Sequence, residues 1–182
     1  MWRVLLQEVI AEMKSIEEHM AFYEAYHRHP LNKLTHFIGI PTIVFSVLVL
    51  LSSVSVNVGG AAVTPAMLLV AGGLVYYFLL QPAFGLGMAL FILPTLALAH
   101  WTGRQSWLVV AAVFLGFFIG GWIFQLVGHA VFEKRRPALT DNLFQMVIGP
   151  IFLVAEIFFL CGYRPALHAR IRELSHRHDP AD

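Results

Sequence analysis

The chain reads as an all-α, multi-pass transmembrane helical bundle, with four full spans, a fifth hydrophobic helix that is broken or re-entrant, and an N-terminal amphipathic helix. Three observations predict this. Hydrophobic residues make up 58% of the chain and charged residues 13%, about half the charged share of a soluble domain. The charges are segregated: no Asp, Glu, Lys or Arg occurs between Lys33 and Arg104, or between Arg104 and Glu133. The apolar runs between them approach the ~20 residues that cross a ~30 Å hydrocarbon layer. The 182 residues suit a single integral membrane domain, 1–182. A net charge of +1 gives no field for nucleic acid, and a lone cysteine, Cys161, excludes an internal disulfide and Cys-rich metal ligation.

Residues 4–23 are expected to form the amphipathic helix, with Leu6, Ile10, Met13 and Met20 near one stripe. Acids interrupt the apolar positions there, so this segment does not read as a secretory signal. His29-Pro30 ends the pattern, because proline disfavours helical dihedrals at the residue before it. A turn near 28–31 follows, with Asn32 available to cap the next helix. The four spans are expected at 37–56, 61–80, 83–100 and 107–127, separated by turns at 57–60, 81–82 and 102–105. Their continuous apolar character, without period-two alternation, makes them helices. Gly116, Gly120 and Gly121 form a small-residue stripe suited to close helix contact. The fifth segment, 143–163, contains Pro150 and Glu156, which argue against a simple crossing. A polar tail, 164–182, carries four arginines.

Four crossings place residues 1–36 and 128–142 on one side, with Arg3, Lys14, Arg28, Lys33, Lys134, Arg135 and Arg136, while only Arg104 lies opposite. The positive-inside bias makes the first side cytoplasmic. A re-entrant fifth segment keeps the tail there too.

That parity brings two polar clusters to one face: residues 26–36, with His27, His29, Asn32 and His36, and residues 125–142, with Gln125, His129, Glu133, Asp141 and Asn142. Gln125, His129 and Glu133 share one face if the helix continues. Imidazoles from separate segments with a carboxylate suit iron, zinc or another divalent ion. Asn32, Gln125, Asp141 and Asn142 are candidate partners that orient the imidazoles. His27 and His29 flank the same turn, and either serves as a ligand. Read singly, each histidine is more often structural than ligating. His19 reads as solvated, and His100 ends the third span on the far side. Lys134, Arg135 and Arg136 serve as a cytoplasmic anchor or capture an anionic head group, a lipid phosphate or a fatty-acid carboxylate.

At these clusters the chain resembles the 2-hydroxy fatty acid dioxygenase family. The first match is Tyr-His-x-x-Pro-x-Asn-x-x-x-His-x-x-x-x-Pro, from Tyr26 to Pro41. The second is Gly-Trp-Ile-Phe-Gln-x-x-Gly-His-x-x-Phe-Glu-Lys-Arg-Arg-Pro-Ala-Leu-x-Asp-Asn-Leu, from Gly121 to Leu143, with Pro150 and Glu156 also fitting. The resemblance covers most of the chain from Phe22 to Gly162; the intervening helices match only in hydrophobicity. It implies a membrane enzyme of fatty-acid α-oxidation, acting in phytosphingosine breakdown in eukaryotes. Such enzymes use Fe(II) and dioxygen to shorten a 2-hydroxy fatty acid by one carbon, releasing carbon dioxide. By position it implies His27, His36 and His129 as the metal set. Position 29 departs from the family, where an Asn is common, which favours His27.

The expectation is thus an Fe(II) site of His27, His36 and His129. Glu133 is expected as a fourth ligand or the base for the 2-hydroxyl, and Arg135 or Arg136 as the carboxylate partner. The partners are a 2-hydroxy fatty acid, dioxygen and membrane lipid, in a bacterial inner membrane or the endoplasmic reticulum. A zinc-dependent lipid hydrolase and a non-catalytic scaffold are the competing readings. Oligomeric state is left open.

Overall fold

The computed structural model describes residues 15–178. Most of the helix expected over 4–23 lies outside them. Its described part is α1, Ile16–Ala25, opened by a capping box in which Ser15 Oγ accepts from Glu18 N–H and Glu18 accepts from Ser15 N–H. His19 is buried on α1 against the Tyr76 hydroxyl, 3.1 Å away, and is not solvated as expected.

The first long helix, α2, spans Pro30–Ser52, seven residues earlier than the span expected from 37. Proline at its first position supplies a helical φ and needs no hydrogen-bond acceptor there. Its N-cap is His29, whose Nδ1 accepts from Leu31 N–H at 3.2 Å; Asn32 sits inside the helix. The early start carries His36 into the helix and out of the expected loop. A two-stranded hairpin follows, β1 Val56–Val58 and β2 Ala61–Val63, with Val56 opposite Val63. It turns at Gly59 and Gly60, whose positive φ (59° and 88°) suits glycine.

The hairpin takes residues that the pattern assigned to the second span. What remains is α3, Pro65–Leu80, 16 residues long, or ~24 Å at 1.5 Å per residue, short of the hydrocarbon thickness. Helix α4, Pro82–Gly103, follows after Gln81 alone. Helix α5, Trp107–Val127, runs on through a π-wound turn, Gly128–Glu133. A single 3-10 turn, Ala138–Thr140, leads to α6, Gln145–Leu160, and then to α7, Pro165–Ser175. Among the described residues, three helical stretches are long and apolar enough to cross a membrane: Pro30–Ser52, Pro82–Gly103 and Trp107–Glu133; α3 and α6 are shorter apolar helices.

Contacts order the bundle end to end. At one end His100 of α4 meets Ser52 of α2 (3.5 Å) and Thr64, the N-cap of α3 (3.3 Å). At the other, the start of α2 meets the end of α5. Helices α2 and α5 cross through Gly39 and Gly121: a Cβ on either would stand 2.8 Å from the other's carbonyl oxygen. Gly121 is the member of the expected glycine stripe that serves this crossing; Gly116 and Gly120 face open space.

Helix α6 stays at the second end. Glu156 pairs with Lys33 of α2 at 3.2 Å, and Tyr77 of α3 donates to Val147 O at 2.6 Å. Helix α7 packs on α1, and Arg28 donates to Ser175 O at 3.4 Å. The polar tail therefore returns to the end that carries the histidines.

Candidate metal centre

Three elements deliver three imidazoles to one point. His27 lies in the break between α1 and α2, His36 on the second turn of α2, and His129 in the π turn that ends α5. Each is about 2% exposed, and one nitrogen from each lies within 4.8 Å of the others. The rings are mutually near perpendicular, at 80°, 71° and 89°, with centroids 4.4–4.9 Å apart.

Hydrogen bonding assigns the tautomers. His27 Nδ1 lies 2.7 Å from Tyr23 O, and His36 Nδ1 lies 2.9 Å from Asn32 O. A carbonyl oxygen only accepts, so both Nδ1 atoms carry the proton and both Nε2 atoms of the neutral rings present lone pairs. Those two Nε2 atoms are 3.1 Å apart. Two lone pairs at that separation repel unless a cation lies between them. A shared proton would require a charged ring. Burial, then the neighbouring His36 and His129, hold the His27 imidazolium well below the usual histidine range. His129 Nδ1 is one of two buried side-chain nitrogen or oxygen atoms without a hydrogen-bond partner among the described residues. Neutral imidazoles with free, converging nitrogens fit a divalent transition metal.

The surroundings explain how the triad is held. Tyr23 supplies the carbonyl for His27 and stacks on its ring, centroids 3.9 Å apart at 5°. Gly128 lets the π turn close on α2, since a Cβ there would collide with Thr35 Oγ1 and Asn32 Oδ1. Glu133 closes the π turn, and its Oε1 accepts from His29 N–H (2.7 Å) and Asn32 Nδ2–H (3.2 Å). Glu133 lies outside the group of converging donor atoms.

The other expected residues divide. Gln125 lines the triad cavity. Asn32 is fully buried and serves through its carbonyl to His36 and its amide to Glu133. Asp141 holds the Tyr26 hydroxyl at 2.5 Å and Arg136 at 3.1 Å. Burial, with Asp141 next in effect, pushes the Tyr26 phenol up to about 12. Asn142 caps Phe144 N–H at 2.9 Å. Neither side chain is bonded to an imidazole. Arg135 and Arg136 do not line the cavity. His29 is removed from ligand candidacy: its ring caps α2 and stacks on Phe132 at 5.3 Å.

Two site residues were not anticipated. Tyr23 sits one helical turn before His27, a spacing that signals a possible carbonyl partner. Gln145 is 4% exposed and lines the cavity, and its Oε1 is the other buried atom without a partner among the described residues. Nothing in the sequence separates it from an ordinary helix-start glutamine.

Residues 13–160 match the family described as Mpo1-like, 2-hydroxy-palmitic acid dioxygenase Mpo1-like. The 2-hydroxy-palmitic acid dioxygenase MPO1 of Saccharomyces cerevisiae is 40% identical over 161 residues, covering 86% of this chain and 87% of the yeast protein. The chain belongs to the Mpo1-like family. No solved structure matches. The Mpo1-like match contains the whole triad with Tyr23, Glu133 and Gln145, so the site lies inside the shared region and not on an appendage.

Proposed function

We propose that this protein is an Fe(II)-dependent membrane dioxygenase that shortens 2-hydroxy fatty acids by one carbon. The 2-hydroxy acid and dioxygen become the fatty acid one carbon shorter, carbon dioxide and water. The bond between C1 and C2 breaks, C2 is oxidised from alcohol to carboxylic acid, C1 leaves as carbon dioxide, and dioxygen takes up the four electrons. The observation that carries the reading is the pair of unprotonated Nε2 atoms of His27 and His36, 3.1 Å apart, with a ring nitrogen of His129 converging on them to within 4.8 Å. The yeast relative's name supplies the substrate class.

His27, His36 and His129 hold the metal, and bound Fe(II) supplies the redox chemistry toward dioxygen. Tyr23 and Asn32 keep the Nδ1 protons on the ligating rings, so the imidazoles remain neutral donors. Glu133 fixes the π turn against the start of α2. Gln145 presents a buried amide to the cavity: its Oε1 accepts from the 2-hydroxyl and its Nε2–H donates to the carboxylate. A neutral amide takes the head-group role expected of Arg135 or Arg136, which lie outside the cavity. In this reading the three long apolar helices and the shorter α3 make four crossings, with α6 laid across the triad end, and the basic residues at that end favour a cytoplasmic site.

The test is metal analysis of chelator-free protein, followed by Fe(II) loading and an assay with 2-hydroxypalmitate. Stoichiometric iron, oxygen uptake and a product one carbon shorter support the reading. Turnover with zinc and no oxygen uptake would overturn it.

A further inference from the structure

The triad cavity shares Val44, Met146 and Pro150 with a second cavity of about 170 Å³. This second space lies between α2, α3, α4 and α6 and reaches Leu48 and Leu69, away from the triad end. Its lining is apolar apart from the Tyr77 hydroxyl. Three side chains therefore border both the chamber that holds the imidazoles and an apolar space pointing into the bundle. One is Met146, an unbranched side chain that repacks readily.

We propose that this second cavity is an acyl-chain pocket whose depth sets the substrate's chain length, measured from the triad. The inference rests on the triad as the place where the head group sits. A straight alkyl chain fits the occupant: the space is apolar, begins at the metal-ligating chamber and extends along the bundle. Polar head and apolar tail then bind in adjoining compartments of one protein.

Gly73 gives direct access to the idea. It lines this cavity, and a Cβ built on it meets only Tyr77, at 3.9 Å. A side chain there enters the space without striking backbone. Gly72, the neighbouring residue, is exposed, and a Cβ on it meets nothing within 4 Å. The two positions share a helix and a substitution but not a cavity.

The experiment compares wild type, Gly73→Ala, Gly73→Leu and Gly72→Leu, each purified and loaded with Fe(II) in lipid nanodiscs. Competition against radiolabelled 2-hydroxypalmitate measures binding of 2-hydroxypalmitate and 2-hydroxydecanoate, and oxygen uptake is recorded separately. Each methylene denied burial weakens binding about fourfold. Gly73→Leu is expected to weaken 2-hydroxypalmitate on the order of 60-fold, for about three methylenes displaced, while 2-hydroxydecanoate is held as in wild type. Gly73→Ala should give a smaller shift in the same direction, and Gly72→Leu none. Unchanged binding of both acids by both Gly73 variants would overturn the pocket, as would wild type that binds neither acid. Binding that shifts as expected without oxygen uptake keeps the pocket and removes the dioxygenase reading.

Discussion

His27 Nε2 and His36 Nε2 face each other at 3.1 Å, each ring anchored through Nδ1 to a carbonyl one turn earlier in the chain. An electrostatic conflict is thus built into the metal-free site. Metal binding should stabilise the fold, by about 2.7 kcal/mol at a hundredfold excess over Kd, and a chelator should remove that stabilisation. In His36→Ala the chelator should have no effect, because both the conflict and the ligand are gone. Thermal unfolding with and without chelator, paired with metal analysis, checks this; equal chelator sensitivity in the two proteins would count against the site.

Glu133 Oε1 links the π turn to His29 and Asn32. A clamp needs an acceptor, not a charge. Glu133→Gln should therefore keep most bound metal and turnover, while Glu133→Ala leaves a part-buried N–H without its acceptor, at about 1–3 kcal/mol, and loosens metal about 10–100-fold. If Glu133→Gln abolishes turnover with metal retained, the carboxylate has an acid–base role after all.

The alternation of apolar runs and breaks makes the helices legible, and the histidine-bearing motifs identify the triad. The rest depends on backbone geometry that patterns do not encode. The second apolar run spends its first residues on a hairpin, because Gly59 and Gly60 turn the chain back on itself where hydropathy sees only an apolar run. The spacing of Gln125, His129 and Glu133 brings the carboxylate to this end of the bundle, but its partners, His29 N–H and Asn32 Nδ2–H, follow from the close approach of Gly128 to Thr35 and Asn32, which exists only in three dimensions. Gln145 was missed because what marks it, a buried and unsatisfied amide, exists only once the chain has folded.

Gly128 and Gly116 test that close approach. Gly128→Ala forces a methyl group into Thr35 and Asn32, an overpacking worth about 1–3 kcal/mol. It should displace His129 and lower metal occupancy, with partial recovery in Gly128→Ala/Thr35→Ala. Gly116→Ala, in open space, should leave metal and stability unchanged. Metal stoichiometry across the set is the measurement. Full occupancy in Gly128→Ala would show that the π turn tolerates a wider gap.

Gln145 Oε1 is buried beside the triad without a partner. If it meets the substrate head group, Gln145→Leu keeps metal but raises KM for 2-hydroxypalmitate by roughly 10–100-fold, the equivalent of one lost buried hydrogen bond at about 1.5–3 kcal/mol. Gln145→Glu keeps the acceptor but replaces the donor with a second carboxylate beside the substrate's own, and should recover none of the loss. Unchanged KM in Gln145→Leu would leave the amide as a packing residue only.

Lys33 ties α1 to α6: its Nζ lies 2.8 Å from Glu24 and 3.2 Å from Glu156, with all three side chains under 20% exposed. Removing the cation in Lys33→Met strands two carboxylates and should cost about 3–5 kcal/mol. Burial already raises Glu24 above the usual carboxylate range, against the opposing pull of Lys33. A group whose folded pKa is raised takes up a proton on folding, so its effect favours the fold as pH falls. The deficit of Lys33→Met relative to wild type should therefore be greatest at neutral pH and shrink under mild acid, as Glu24 becomes neutral. Lys33→Arg should retain most stability throughout. Unfolding measured across that range decides it; a deficit independent of pH would mean that Lys33 acts through its ammonium over the Phe152 ring and not through the two carboxylates.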